Sequence, residues 1–299
     1  MKMTKKKNEM IMSNSRVHRS TLSSQQKRRR TLIGTFIAVA LLVATSIVIY
    51  GANLQSTATN TIRVLFVGNS QTDFWDLPAT VEALAKSAPV DRPRITVGKA
   101  IMHGTGLAGY WDSGEGFGKP RSKIKSKKWD YVVIQDAYAS PVEMFRKYAL
   151  LFHDAINRTN AKTILFATAS TNDLYPSGFK EIYEMHSDLS KELGVPLAAG
   201  GYAWLKYWGT NPTLEQRLSL YASDKAHPGE RGSYIYACVL YSAITGFSPI
   251  GLTHDIPNLS PNAVTKDKAY AFQLAAWNQH LESNSSQPTT LPTVESPKN

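Results

Sequence analysis

Two hydrophobic patterns divide this chain. From Leu32 to Ala52 apolar residues follow one another without a single charge, and no polar stripe interrupts them. About 20 such residues are what a helix needs to cross the hydrocarbon core of a bilayer. A soluble core helix rarely lacks a polar face on every side. After Thr61 the pattern changes. Short apolar runs, at 63–67, 94–97, 131–134, 163–167 and more weakly 195–198, alternate with stretches of helical spacing. The helices are predicted at 77–88, 141–157 and 179–193, the last closed by Gly194, with three more near 213–221, 229–245 and 265–281. Short all-apolar strands alternating with helices predict an α/β domain whose parallel sheet is covered on both faces. Ligands of such sheets bind beyond the carboxyl ends of the strands.

Charge sharpens the division. Residues 1–30 hold ten Lys/Arg and one Glu, whereas the whole chain holds 34 Lys/Arg and 23 Asp/Glu, so the remainder carries a net of only +2. A domain that grips nucleic acid spreads its cations over a folded face; here the excess is a tail, so no nucleic-acid partner is expected. Residues 1–30 are too polar to bury a core and are expected to form a basic cytoplasmic tail, because positive charge flanking a membrane helix stays inside. Residues 31–52 are then a transmembrane anchor, 53–60 a small polar linker and 61–283 the folded domain, placed outside the cell membrane. Residues 284–299, rich in Ser, Thr and Pro, are expected to be a disordered tail. A cleavable signal peptide has an apolar stretch of only about 7–15 residues, so an uncleaved anchor is favoured. The one cysteine, Cys238, rules out an intrachain disulfide. It lies in an apolar helical run and reads as a buried packing residue.

Two short motifs carry candidate chemistry. Gly68-Asn69-Ser70-Gln71-Thr72 follows the first strand directly, which places Ser70 at the carboxyl edge of the sheet. Far along the chain stands Ser223-Asp224-Lys225-Ala226-His227-Pro228-Gly229. Pro228 suits the first turn of the helix that follows, which holds His227 on the rim. Asp224 can reach back to one imidazole nitrogen, leaving the other free to take a proton from a serine. Those are the roles of a catalytic triad, which is recognised by geometry and not by chain order. Taken singly, the first motif is also a common turn and the second also a helix cap.

Together the two motifs resemble the SGNH/GDSL hydrolase superfamily of esterases and lipases, which opens on a Gly-Asp-Ser-like turn after strand one and closes on Asp-x-x-His before the last helices. The resemblance covers 61–283. It implies a flavodoxin-like three-layer α/β/α sandwich with a five-stranded parallel sheet in the order 2-1-3-4-5, Ser70 as nucleophile, and His227 and Asp224 as its helpers. It also implies an oxyanion hole from the Ser70 amide, a glycine after strand two and an asparagine after strand three. Gly104 matches the glycine, with Gly106 beside it. The asparagine is absent: Gln135 stands there, as in a divergent branch of the superfamily, and Asn172 after strand four is the alternative. No metal and no cofactor is expected. Tyr110, Trp111, Trp204, Tyr207 and Trp208 read either as a groove for a sugar or acyl chain or, more commonly for such residues, as packing. The expected function is a membrane-anchored serine ester hydrolase acting on an ester substrate, an acylated (acetylated) cell-surface polysaccharide. An O-acyltransferase with the same triad and a silent surface-binding module on the same fold are the alternatives.

Overall fold

The computed structural model describes residues 61–116 and 118–284. The expected basic tail, the anchor at 32–52, the linker and the tail beyond Asn284 lie outside them. Among the described residues no helix is long and apolar enough to cross a membrane.

Five parallel strands form one sheet in the order β2-β1-β3-β4-β5. They are β1 (Thr61–Gly68), β2 (Arg94–Ile101), β3 (Tyr131–Gln135), β4 (Lys162–Ala167) and β5 (Leu197–Ala199). Val64 lies between Val97 of β2 and Tyr131 of β3, and from Val64 to Gly68 the central strand is buried without interruption. That explains its all-apolar sequence: both faces are covered. The chain leaves β1 towards one side of the sheet and returns across it to β3. With right-handed crossovers, the connection after β1 falls on one face and the later ones on the other. The crevice between β1 and β3 is therefore a topological switch point, where α/β sheets bind ligands.

The helices are α1 (Ser70–Asp73), α2 (Leu77–Ser87), α3 (Leu107–Asp112), α4 (Pro120–Ser126), α5 (Val142–Asn157), α6 (Ser177–Leu193), α7 (Gly200–Trp208), α8 (Leu214–Leu218), α9 (Glu230–Thr245) and α10 (Lys266–Asn284). The helices α2, α7, α9 and α10 pack together in one layer, and α3, α4 and α5 together in another. Every residue of α9 from Gly232 to Ile244 is buried, Cys238 among them, because α2, α7 and α10 surround it.

The pattern of apolar residues missed α7. Its nine residues, apolar except for Lys206 in the last turn, are too few to show a helical stripe, and it begins directly where β5 ends. Gly201 permits this, since a Cβ there would lie 2.6 Å from the Thr168 carbonyl oxygen. Trp204 of this helix is fully buried, stacked on Tyr236 at 5.0 Å and edge-on to Tyr221 and Trp208. Tyr110 is fully buried as well. These aromatics are core, not groove.

His186 on α6 gives the fold an acid sensitivity. It is buried, its Nδ1 donates to the Ile182 carbonyl at 2.8 Å, and its Nε2 has no partner. Burial lowers its pKa from 6.5 to about 4, against the smaller upward pull of the Ile182 bond. The unfolded chain thus binds this proton more readily than the folded one, so the stabilisation is complete above pH 6.5 and is lost as pH falls towards 4. The loss amounts to about 3 kcal/mol. Urea titrations at neutral pH and near pH 4.5 should show a steeper decline for the wild type than for His186→Leu; parallel declines would contradict the assignment.

Candidate active site

The carboxyl end of β1 turns sharply at Gly68. A Cβ there would lie 2.3 Å from Thr72 Oγ1 and 2.9 Å from Gln135 Oε1, so only glycine lets these groups close in behind the turn. Asn69 caps α1, its Oδ1 accepting from the Gln71 amide at 2.9 Å, and its Nδ2 donates to the Thr105 carbonyl at 2.8 Å. Ser70 is thereby held as the first residue of α1, beside the loop after β2.

The second motif forms a tight loop between α8 and α9. Lys225 takes a left-handed conformation, with φ 59°. Asp224 Oδ1 accepts from the amides of Ala226 (3.0 Å) and His227 (2.9 Å), which aims its Oδ2 at His227 Nδ1, 2.6 Å away. His227 Nε2 lies 2.8 Å from Ser70 Oγ. Burial works to raise the pKa of Asp224, but the two backbone amides and the imidazole together lower it, so the carboxylate stays ionised. The hydrogen-bonded chain Asp224–His227–Ser70 thus joins the two motifs across 157 residues of sequence.

Three further contacts hold the loops together. Gln71 Nε2 donates to the Ala226 carbonyl, Trp75 Nε1 donates to the Pro228 carbonyl, and the Asn172 amide donates to the Lys225 carbonyl, each at 3.0 Å. Sequence reasoning missed Phe74, whose ring stacks on the His227 imidazole at 4.3 Å and 7° from parallel. It lies in a 3₁₀ turn, Phe74–Asp76, where Trp75 (φ 58°) and Asp76 (φ 43°) are both left-handed. Such a conformation in a bulky residue persists only where the surroundings impose it. Here Asn258 Nδ2 bonds the Trp75 carbonyl, and Asp76 Oδ1 holds both the Ala79 amide and Lys99 Nζ. No local sequence signal announces this arrangement, since Asn258 is distant in the chain.

The groups expected around a developing oxyanion fall differently. Gly104 adopts φ 68° in the loop after β2, and a Cβ there would meet nothing within 4 Å. Among the described residues its amide and that of Ser70 have no protein partner. Gly106 serves another purpose: a Cβ there would lie 2.1 Å from Asp136 Oδ1, the atom that caps α3 at the Leu107 amide. Gln135 is fully buried behind the serine turn. Its Oε1 accepts from the Asn69 amide and from Thr72 Oγ1, each at 3.0 Å, and its Nε2 donates to the Asp136 carbonyl. The expected oxyanion donor is instead a brace, because the glutamine arm is long enough to fold under the turn. Asn172 abuts the histidine loop through its backbone, while its side-chain Oδ1 is buried without a partner.

A brace and a donor predict different mutant behaviour. Gln135→Ala leaves a buried amide and a buried hydroxyl unpaired and opens a cavity, so it should cost about 2–4 kcal/mol of stability. Gln135→Glu, protonated in this buried site, keeps an acceptor and should restore most of that stability in mild acid. A loss of kcat in Gln135→Ala with an unchanged melting temperature would indicate a direct donor instead.

No protein-family profile and no curated protein matches this sequence. Solved structures do. A DUF4886 family protein from Bacteroides uniformis aligns with a TM-score of 0.55 at 18% identity, over 76% of this chain and 98% of its own. A proposed SGNH hydrolase from Slackia heliotrinireducens aligns with a TM-score of 0.50 at 20% identity, over 62% of this chain and 99% of its own. The chain has the SGNH/GDSL hydrolase fold. A variant of an acetyl-xylooligosaccharide esterase from Geobacillus shares that fold as well, with a TM-score of 0.50 at 16% identity, over 64% of this chain and 98% of its own. At such identities the likeness is one of fold, and the case for chemistry in this SGNH/GDSL-fold chain rests on its own side chains.

Proposed function

We propose that this protein is a serine ester hydrolase, anchored in the cell membrane by residues 32–52 with its folded domain outside, that removes acetyl or similar small acyl groups from a cell-surface glycan. The observation that carries the reading is the relay from Asp224 through His227 to Ser70, with contacts of 2.6 and 2.8 Å. The hydrolase fold and the acetyl-ester activity named for one structural neighbour support the substrate class.

In the first half-reaction Ser70 Oγ attacks the ester carbonyl carbon while His227 Nε2 takes its proton. The carbonyl π bond breaks and its electrons settle on the oxygen. The amides of Ser70 and Gly104 stabilise that charge. Collapse of the intermediate expels the sugar alkoxide, to which His227 returns the proton. Water then repeats the sequence on the acyl-serine and frees the carboxylic acid. Asp224 fixes the tautomer, with Nδ1 carrying its hydrogen, and stabilises the transient imidazolium. Phe74 keeps the ring in plane.

A fluorophosphonate probe tests the reading without a known substrate, since it reacts only with an activated serine. Stoichiometric labelling of the full-length protein at Ser70 is expected; a folded protein that resists the probe would refute the assignment. For the topology, protease added outside intact cells should digest the folded domain and spare the basic tail; the reverse pattern would overturn the orientation.

A further inference from the structure

All five strands begin on one edge of the domain and end on the other, where the triad lies. The starting edges of β1, β3 and β4 are stitched side by side, with the Asp130 amide bonded to the Arg63 carbonyl and the Lys162 amide to the Asp130 carbonyl. The end of α2 joins them beside β2, where Arg94 Nη1 bonds the Ala85 and Lys86 carbonyls. Five cations gather on this edge: Lys86, Lys127, Lys128, Arg158 and Lys162. Among the described residues none of them is in a salt bridge. Of the nearby carboxylates, Asp130 is taken by Arg63, with the Lys128 charge also acting on it, and Asp91 lies against Arg92, which leaves Asp154 and, one turn before Lys86 on α2, Glu82. Lys127 and Lys162 lie over the rings of Trp129 and Tyr131, at 4.2 and 6.0 Å, which holds their stems along the surface.

The rest of the chain beyond the basic tail is almost neutral, at +2, so this concentration is local. On the opposite edge, beside the site, the carboxylates of Asp73, Asp76 and Asp224 each have a partner, in His103, Lys99 and His227. The chain enters β1 at Thr61, on the basic edge, after a linker of eight residues, 53–60. Eight residues reach at most about 28 Å. We infer that this strand-start edge is a docking face for anionic phospholipid headgroups, which seats the domain on the bilayer with Ser70 turned away from it. The inference rests on the anchored reading above. Attraction of unpaired lysines and arginines to an anionic surface acts within a screening length of about 8 Å at physiological ionic strength, which suits a face laid directly on the headgroups. Ser70 follows the far end of β1, which has 8 residues and is about 25 Å long, and so the triad opens towards polymers outside the membrane.

The test is lysine footprinting of the full chain in lipid nanodiscs, with acetylation at each lysine read by mass spectrometry. Discs rich in phosphatidylglycerol should lower acetylation of Lys127, Lys128 and Lys162 at least about threefold relative to phosphatidylcholine discs, and about 1 M salt should abolish the difference. Lys180 and Lys266 should react equally in both. Lys127→Glu/Lys128→Glu/Lys162→Glu should remove the remaining lipid dependence at Lys86 while fluorophosphonate labelling of Ser70 persists, which separates this inference from the hydrolase reading. Equal footprints in the two lipids overturn it, as does protection by a soluble anionic polymer but not by lipid. Failure of the full chain to enter discs overturns it too, by removing the anchor on which it rests.

Discussion

Ser70→Ala should abolish hydrolysis of a p-nitrophenyl ester and labelling by a fluorophosphonate, while the protein melts as the wild type does. In the proposed mechanism the oxygen removed is the atom that attacks, and it is the one that lies 2.8 Å from His227 Nε2. In a hydrolase of this mechanism, loss of the nucleophile costs roughly 10⁵–10⁶ in kcat, about 7–8 kcal/mol. The fold has little reason to suffer. The turn is held by Asn69, Gly68 and Gln135, not by the Ser70 hydroxyl, whose contact in the structure is the imidazole. Residual labelling at another serine would disprove the assignment, and so would a variant that is inactive because it is unfolded.

Asp224→Asn is expected to have the next largest effect, a fall of about 10⁴ in kcat with KM little changed. Asparagine retains an oxygen for the Ala226 and His227 amides, so the loop keeps its shape. Its other atom is then an NH₂ facing His227 Nδ1. Two donors cannot share that contact, so the imidazole is driven to carry its hydrogen on Nε2, where it can no longer accept the Ser70 proton. Phe74 still holds the ring in plane, so the loss is one of tautomer and not of position. A variant with near-normal kcat would mean that the 2.6 Å contact is only a loop cap.

Much of this was legible in the chain itself. The five apolar runs became five parallel strands, since a strand buried on both faces must be apolar throughout. The residues between the strands kept their helical spacing in α2, α5 and α6 because one side of each faces solvent. Length matters as well: α9, buried from Gly232 to Ile244, is long enough to be read as a helix, whereas α7 has nine residues with Lys206 as its one charge and escaped notice, and β2 runs on to Ile101 through Gly98, where Trp129 covers the glycine. The expected anchor at 32–52 lies outside the described residues and rests on the apolar run alone.

The candidate site divides along the same line. Residue type and local spacing, Gly68-Asn69-Ser70 after a strand and Asp224-x-x-His227 before a helix, were enough to single out a serine, a carboxylate and an imidazole that the fold brings into one hydrogen-bonded chain. Chemistry restricts which side chains can serve, and three-residue spacing on a turn is a local geometry. The partners that aim them were not legible. Phe74 over the imidazole, Asn258 beneath the left-handed Trp75, and Gln135 folded behind the serine turn depend on segments 63 to 183 residues apart meeting at one edge of the sheet. A side chain such as Gln135 has two ends and several rotamers, and only the packing around it decides whether its amide faces the site or supports the loop that forms it. Sequence determined which groups this protein has for chemistry and that a parallel sheet would present them; tertiary packing decided which of them point inward, because orientation is set by neighbours that no local pattern records.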